Sequence, residues 1–115
     1  MRRGEVRLVR AQSPSAGAGE APWPGVIVSN DGANAAAEKL GYGMITVVPL
    51  IGAILANYPF QVPLPAGSGG LNDNATARAD EVRSVPVESI GARLGRLAWV
   101  QLAAVDQALR VHLHL

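Results

Sequence analysis

The chain has 115 residues, 49% of them hydrophobic and 17% charged, which leaves room for one modest core and is too apolar for a disordered chain. Ten Lys and Arg against nine Asp and Glu give a formal net charge of +1, so a nucleic-acid partner would have to be held by local contacts rather than by a strong overall field. With no cysteine, disulfides and thiolate metal sites are excluded.

Arg2 and Arg3 would suit the start of a signal peptide, but Glu5, Arg7 and Arg10 interrupt the apolar region that should follow. The longest apolar run, Met44 to Ala56, contains Pro49 and Gly52 and falls short of the roughly 18 residues a membrane span needs. A soluble, cytoplasmic protein of one domain, 1–115, without membrane contact is therefore expected.

Gly4 to Ala11 reads as a first strand, with Val6 and Leu8 on one face, Glu5 and Arg7 on the other, and Val9 breaking the alternation. Gln12 to Pro24 is a Ser-, Gly-, Ala- and Pro-rich loop. Gly25 to Ser29 is a second strand, led in by Trp23-Pro24 and let out by Ser29-Asn30-Asp31. Asn30 or Asp31 caps a short helix through Leu40, and Gly41 suits its left-handed stop. Met44 to Leu50, apolar and β-branched on both faces, predicts a central strand. Tyr58 to Leu64 alternates, but Pro59 and Pro63 cannot donate to a ladder, which predicts an edge strand or a bulge. Pro65 to Gly70 reads as a flexible turn, Asn74 to Ala79 and Val82 to Val87 as short strands, Glu88 to Leu94 as a helical turn, and Gly95 to Ala98 as a last short strand. Leu102, Val105, Leu109 and Leu113 recur at spacings of three and four, so Trp99 to Leu113 is expected to be an amphipathic helix packed on the sheet along that stripe. Strands first and a helix last predict a mainly β fold, a small barrel with a helix across it.

Chemical motifs are sparse. Gly67 to Gly70 lacks the Lys-Ser/Thr of a phosphate loop, and Gly17 to Gly25 has no strand-to-helix setting. His112 and His114, two apart on a helix, point in different directions and do not chelate one ion. Asp80 and Glu81 are adjacent rather than facing, so they read as a solvated strand edge and not as an acid–base pair.

Four blocks nevertheless occur in a telling order: Arg2-Arg3-Gly4-Glu5-Val6; Pro24-Gly25-Val26-Ile27-Val28-Ser29-Asn30-Asp31; Ile45-Thr46-Val47-Val48-Pro49-Leu50 followed by Tyr58-Pro59-Phe60-Gln61-Val62; and Val82-Arg83-Ser84-Val85. Together with the closing helix they cover nearly the whole chain, which in this order resembles the MazF/PemK family of toxins from bacterial toxin–antitoxin systems. The resemblance implies an SH3-like β-barrel of the MazF/PemK/CcdB-like kind, usually a homodimer. It also implies cleavage of single-stranded mRNA without metal or other cofactor, and inhibition by a cognate antitoxin whose tail fills the dimer groove. In such a toxin the RNA's own 2′-hydroxyl is the nucleophile and a cyclic phosphate is the product. An arginine before the proline of the second strand and a threonine after the Pro-Leu of the third are the residues usually assigned to that step.

At those two places this chain has Trp23 and Ile51. An indole donates without charge and an isoleucine does not donate, and loss of one preorganised donor typically costs about 2.7 to 4 kcal/mol, so weak cleavage is expected. The glutamate of the family's first loop corresponds to Glu20 only if the loop is shifted. Asn74 and Thr76 stand where an acidic residue and a lysine are common. Arg7 stands where tryptophan is common and reads as a solvated strand arginine. Ser29, Arg78 and Arg83 are the remaining candidate RNA contacts, each weighed against a capping or surface role. Ile51 to Ala56 is apolar where the family is largely polar, which raises two alternatives: a non-enzymatic antitoxin-binding decoy, or an inhibitor of a protein target on the same fold.

Overall fold

The computed structural model describes residues 1–10, 21–53 and 58–115. Glu20 and positions 54–56 of the apolar loop lie outside them. The elements are β1 (Glu5–Val9), β2 (Trp23–Ile27), α1 (Asp31–Leu40), β3 (Met44–Ile51), β4 (Gln61–Leu64), β5 (Ala75–Arg78), β6 (Arg83–Pro86), β7 (Ile90–Arg96) and α2 (Trp99–Leu113). Short 3-10 turns occupy Ser68–Gly70, Ala79–Glu81 and Val87–Ser89. Every strand pairing is antiparallel, in the order β4-β5-β3-β2-β1-β7, with β6 on β3. The expected mainly β fold with a C-terminal helix is therefore present.

β3 is the central strand, and its apolar run, interrupted only by Thr46, follows from burial on both faces. Successive side chains of a strand point to opposite faces. Ile45 and Val47 join Val9, Ile27, Ala37 and Val85 in one core layer, while Val48 and Leu50 join Val6, Val26, Leu64 and Val105 in the other. Pro49 is tolerated in so central a strand because of where it falls. One flank of β3 pairs with β6 up to Val47↔Arg83 and resumes with β5 at Leu50↔Ala77, so residue 49 stands in the gap between the two partners.

α1 starts and stops as its sequence dictates. The Asn30 side chain accepts from the Ala33 amide at 2.7 Å, and Gly41, at φ 74°, donates its amide to the Ala37 carbonyl at 2.9 Å. In α2 Val105 and Ala108 are buried and Leu102 and Leu109 half-buried, but Leu113 is 49% exposed. The apolar stripe leaves the core one turn early because the end of the helix projects past the layer it covers.

Three further expectations change. Residues 88–94 do not form a helical turn: after the turn Val87–Ser89 the chain runs as β7 to Arg96, its backbone bonded to β1 from Val9↔Ile90 to Glu5↔Arg96, and the separate strand expected at 95–98 is the end of β7. β4 is an edge strand as expected but begins at Gln61 rather than Tyr58. The Pro65 to Gly70 turn is packed rather than free. Ser68 and Gly69 are buried, Gly70 has φ 80°, and a Cβ on Gly70 would lie 2.0 Å from the Leu94 carbonyl oxygen. Only a glycine backbone fits this close, and the contact ties the segment after β4 to β7, the far end of the pairing path.

Candidate functional site

The site is set by strand register. Trp23, Gly25 and Ile27 share the face of β2 that carries one core layer, and Gly25 pairs with Pro49. Carrying that register two residues further places Trp23 across from Ile51, which itself pairs with Thr76 of β5. Arg78, two residues beyond Thr76, and Arg83, paired with Val47, fall on the same face. Four of the sequence-predicted site residues, Trp23, Ile51, Arg78 and Arg83, therefore share one sheet face.

The side chains join them further. The Arg83 guanidinium lies over the Trp23 indole, its carbon 5.3 Å from the ring centroid, a cation–π stack. Its Nη2 donates to Glu81 Oε1 at 3.2 Å, and Arg78 Nη1 approaches the other Glu81 oxygen, also at 3.2 Å. Arg78 makes a two-pronged pair with Asp80, Nε to Oδ1 at 2.9 Å and Nη2 to Oδ2 at 2.6 Å. Those bonds from Arg78 hold the Asp80 carboxyl below the usual carboxylate range, against a smaller opposing effect of burial, and the same bonds raise the Arg78 guanidinium. The turn Ala79–Glu81 brings both acids back between the two arginines, so the pair read from sequence as a solvated strand edge is instead the bridge of a charged cluster. The signal was present as spacing: Asp80 and Glu81 lie two and three residues after Arg78, and Arg83 two after Glu81.

Other sequence-predicted residues lie elsewhere. Ser29 sits at the far end of β2, donating to Asn34 Oδ1 at 2.5 Å and accepting from the Thr46 amide at 3.1 Å, and so ties β3 to the start of α1. Asn74 accepts from the Ala66 amide at 2.9 Å and lines a groove of about 250 Å³ on the other side of the sheet, with Pro24, Leu50, Gly52, Asp73 and Leu94 among its walls. Among the described residues this groove has no basic side chain in its lining. Arg7 is not a solvated arginine. Only 20% of its side chain is exposed, with Nε donating to Glu5 at 2.9 Å and Nη1 to the Gly91 carbonyl at 3.1 Å. Burial pushes the Glu5 carboxyl up, but the bonds and charge of Arg7 outweigh it and hold the carboxyl below its ordinary value. Arg7 is thereby committed to Glu5 and does not stand in for a cation at residue 23.

A mainly β, barrel-like sheet with a C-terminal helix, and two arginines, two acids and an indole gathered on one face, defines a small β protein of toxin-like fold. The chain matches the family model described as PemK-like, MazF-like toxin of type II toxin-antitoxin system over residues 2–113. It is 43% identical over 115 residues to Endoribonuclease MazF9 of Mycobacterium tuberculosis (strain ATCC 25618 / H37Rv), covering 100% of this chain and 98% of that protein. Among solved structures it resembles an endoribonuclease in complex with its cognate antitoxin from a mycobacterial species, with a TM-score of 0.73, 21% identity and coverage of 100% and 96%. It also resembles a MazE-MazF complex from Deinococcus radiodurans, with a TM-score of 0.72, 22% identity and coverage of 99% and 96%. The chain belongs to the PemK-like, MazF-like toxin family of type II toxin–antitoxin systems.

Proposed function

We propose that this toxin, as a single domain spanning 1–115, is an endoribonuclease that cuts single-stranded mRNA through attack by the RNA's own 2′-hydroxyl, at a rate lowered by Trp23 and Ile51. The observation that carries the reading is full-length identity of 43% to a protein named as an endoribonuclease. The site supports it by register. The two positions the resemblance assigns to the reaction lie on neighbouring strands, on the face that holds Arg78 and Arg83, just beyond the last paired residues Gly25 and Pro49. Negative charge grows on the phosphate during such a step, and fixed cationic and hydroxyl donors are what stabilise it. Neither an indole nor an isoleucine supplies that charge or hydroxyl, so a rate about 10²- to 10³-fold below that of the Arg/Thr pairing is expected.

The reading includes a homodimer and a cognate antitoxin as partner, supported by solved relatives of this fold that are complexes of a toxin with its antitoxin. A cytoplasmic place accords with it, and no helix among the described residues is long and apolar enough to cross a membrane. The test compares cleavage of single-stranded RNA, in the presence of a chelator, by the unmodified protein and by the Trp23→Arg, Ile51→Thr double variant. Slow cutting by the first and faster cutting by the second, at least tenfold on the magnitudes above, is expected. Equal rates would remove the impairment, and absence of cutting in both would favour the antitoxin-binding decoy.

A further inference from the structure

The residue before Pro24 is Trp23, and a guanidinium stands over its indole. We infer that Arg83, seated on the Trp23 indole, is the phosphate-binding cation of this face, and that Trp23 is its positioning residue. The inference deepens the ribonuclease reading above and rests on it.

The geometry comes from three strands. β2 delivers Trp23 and β3 holds β6 in register through Val47↔Arg83, so Arg83 starts on the same sheet face as the ring. A Cβ on Gly25 would stand 3.2 Å from the edge of the Trp23 six-membered ring, so the indole lies along its own strand over a residue that offers no side chain to lift it. Arg83 then covers the ring at 5.3 Å. About half of the Arg83 side chain, 48%, remains exposed, so the stack orients the guanidinium without removing it from a ligand's reach. Its bonds to Glu81, 3.3 Å to the carbonyl and 3.2 Å to the carboxylate, are long for charge-assisted contacts. The Glu81 carboxylate is divided between Arg78 and Arg83, so a phosphate oxygen that approached Arg83 would displace only a long, shared contact. Glu81 is thus an internal competitor for the cation that RNA would take.

This arrangement separates two tasks that one arginine before Pro24 would perform together. Arg83 contributes a fixed positive charge for binding the backbone, while Ile51 still contributes no hydroxyl. Binding of RNA should therefore be better preserved than its cleavage.

The test uses a short single strand of 2′-O-methyl RNA, which lacks the free hydroxyl and is not cut, with binding followed by fluorescence anisotropy across a salt series and folding checked by thermal melting. Arg83→Gln should weaken binding at least about fivefold and lower the salt slope by about 0.7, the value for one phosphate contact on a single strand. Trp23→Ala should weaken binding to a similar extent and Trp23→Phe should restore it, since a phenyl face also holds a guanidinium. Glu81→Gln should tighten binding severalfold, the opposite of what loss of a purely structural ion pair would do. Arg83→Gln bound as tightly as the unmodified protein, or Glu81→Gln bound more weakly, would overturn the inference while leaving the ribonuclease reading intact. An unmodified protein that neither binds this strand nor cuts ordinary RNA would overturn both.

Discussion

Asp80 receives two hydrogen bonds from Arg78 on the surface of the sheet, and the pair has a calculable consequence at acid pH. The folded carboxyl titrates below its ordinary value, so the unfolded chain takes up the proton first as the pH falls. The ion pair therefore stabilises the fold fully above the unfolded aspartate range, near pH 4, and that contribution disappears as the pH drops through the folded value. Asp80→Asn should cost at most about 1 kcal/mol at pH 7, because the pair is partly solvated, and less at about pH 3, below the unfolded aspartate range. Urea unfolding at the two pH values measures this, and a cost that persists undiminished at the lower pH would mean that Asp80 acts through something other than its charge. At this scale the sequence was least informative. It marked Trp23 and Ile51 as departures by family comparison, yet Arg83 over Trp23 and Glu81 between two arginines depend on a turn and a register that no local pattern encodes.

Elements were legible where one local signal agreed with the tertiary setting. α1 carries its own cap and stop in Asn30 and Gly41, and the apolar run of β3 announces burial on two faces. β7 was missed because Glu88 to Leu94 has a composition that suits a turn of helix, while its strand conformation is imposed by pairing with β1, some eighty residues earlier. The α2 stripe was right in period and wrong in extent. Periodicity cannot show where the supporting layer ends. The difference is measurable: Val105→Ala, at a fully buried position, should cost about 2 kcal/mol, and Leu113→Ala, half exposed, well under 1 kcal/mol. Gly70→Ala makes a harsher case, since the added methyl would meet the Leu94 carbonyl at 2.0 Å from a backbone with φ 80°. A loss of more than about 2 kcal/mol in chemical denaturation is expected, and a near-neutral result would mean that the 65–70 segment can leave β7 without disturbing the sheet.

The molecule as a whole carries a net charge of only +1, and this constrains how it meets RNA. Of the arginines, Arg7 is committed to Glu5, Arg3 donates to Asp106 at 2.5 Å, and Arg2 lies 3.5 Å from Asp31, so much of the positive charge is balanced within the fold. What faces a ligand on the proposed site is Arg83, half exposed and offset by Glu81, because Arg78 is held by Asp80 and Glu81. A protein that gathered RNA by its overall field would engage many phosphates, and its affinity would collapse by orders of magnitude on raising salt. One phosphate contact on a single strand, at Arg83, predicts a salt slope of about 0.7 and a loss of only about threefold between roughly 50 and 200 mM salt. Anisotropy titrations of uncleavable RNA over that range test the number directly. A slope of 4 or more would place the binding surface across several more cations than this face holds, and would move the search to the exposed arginines Arg93 and Arg96 of β7.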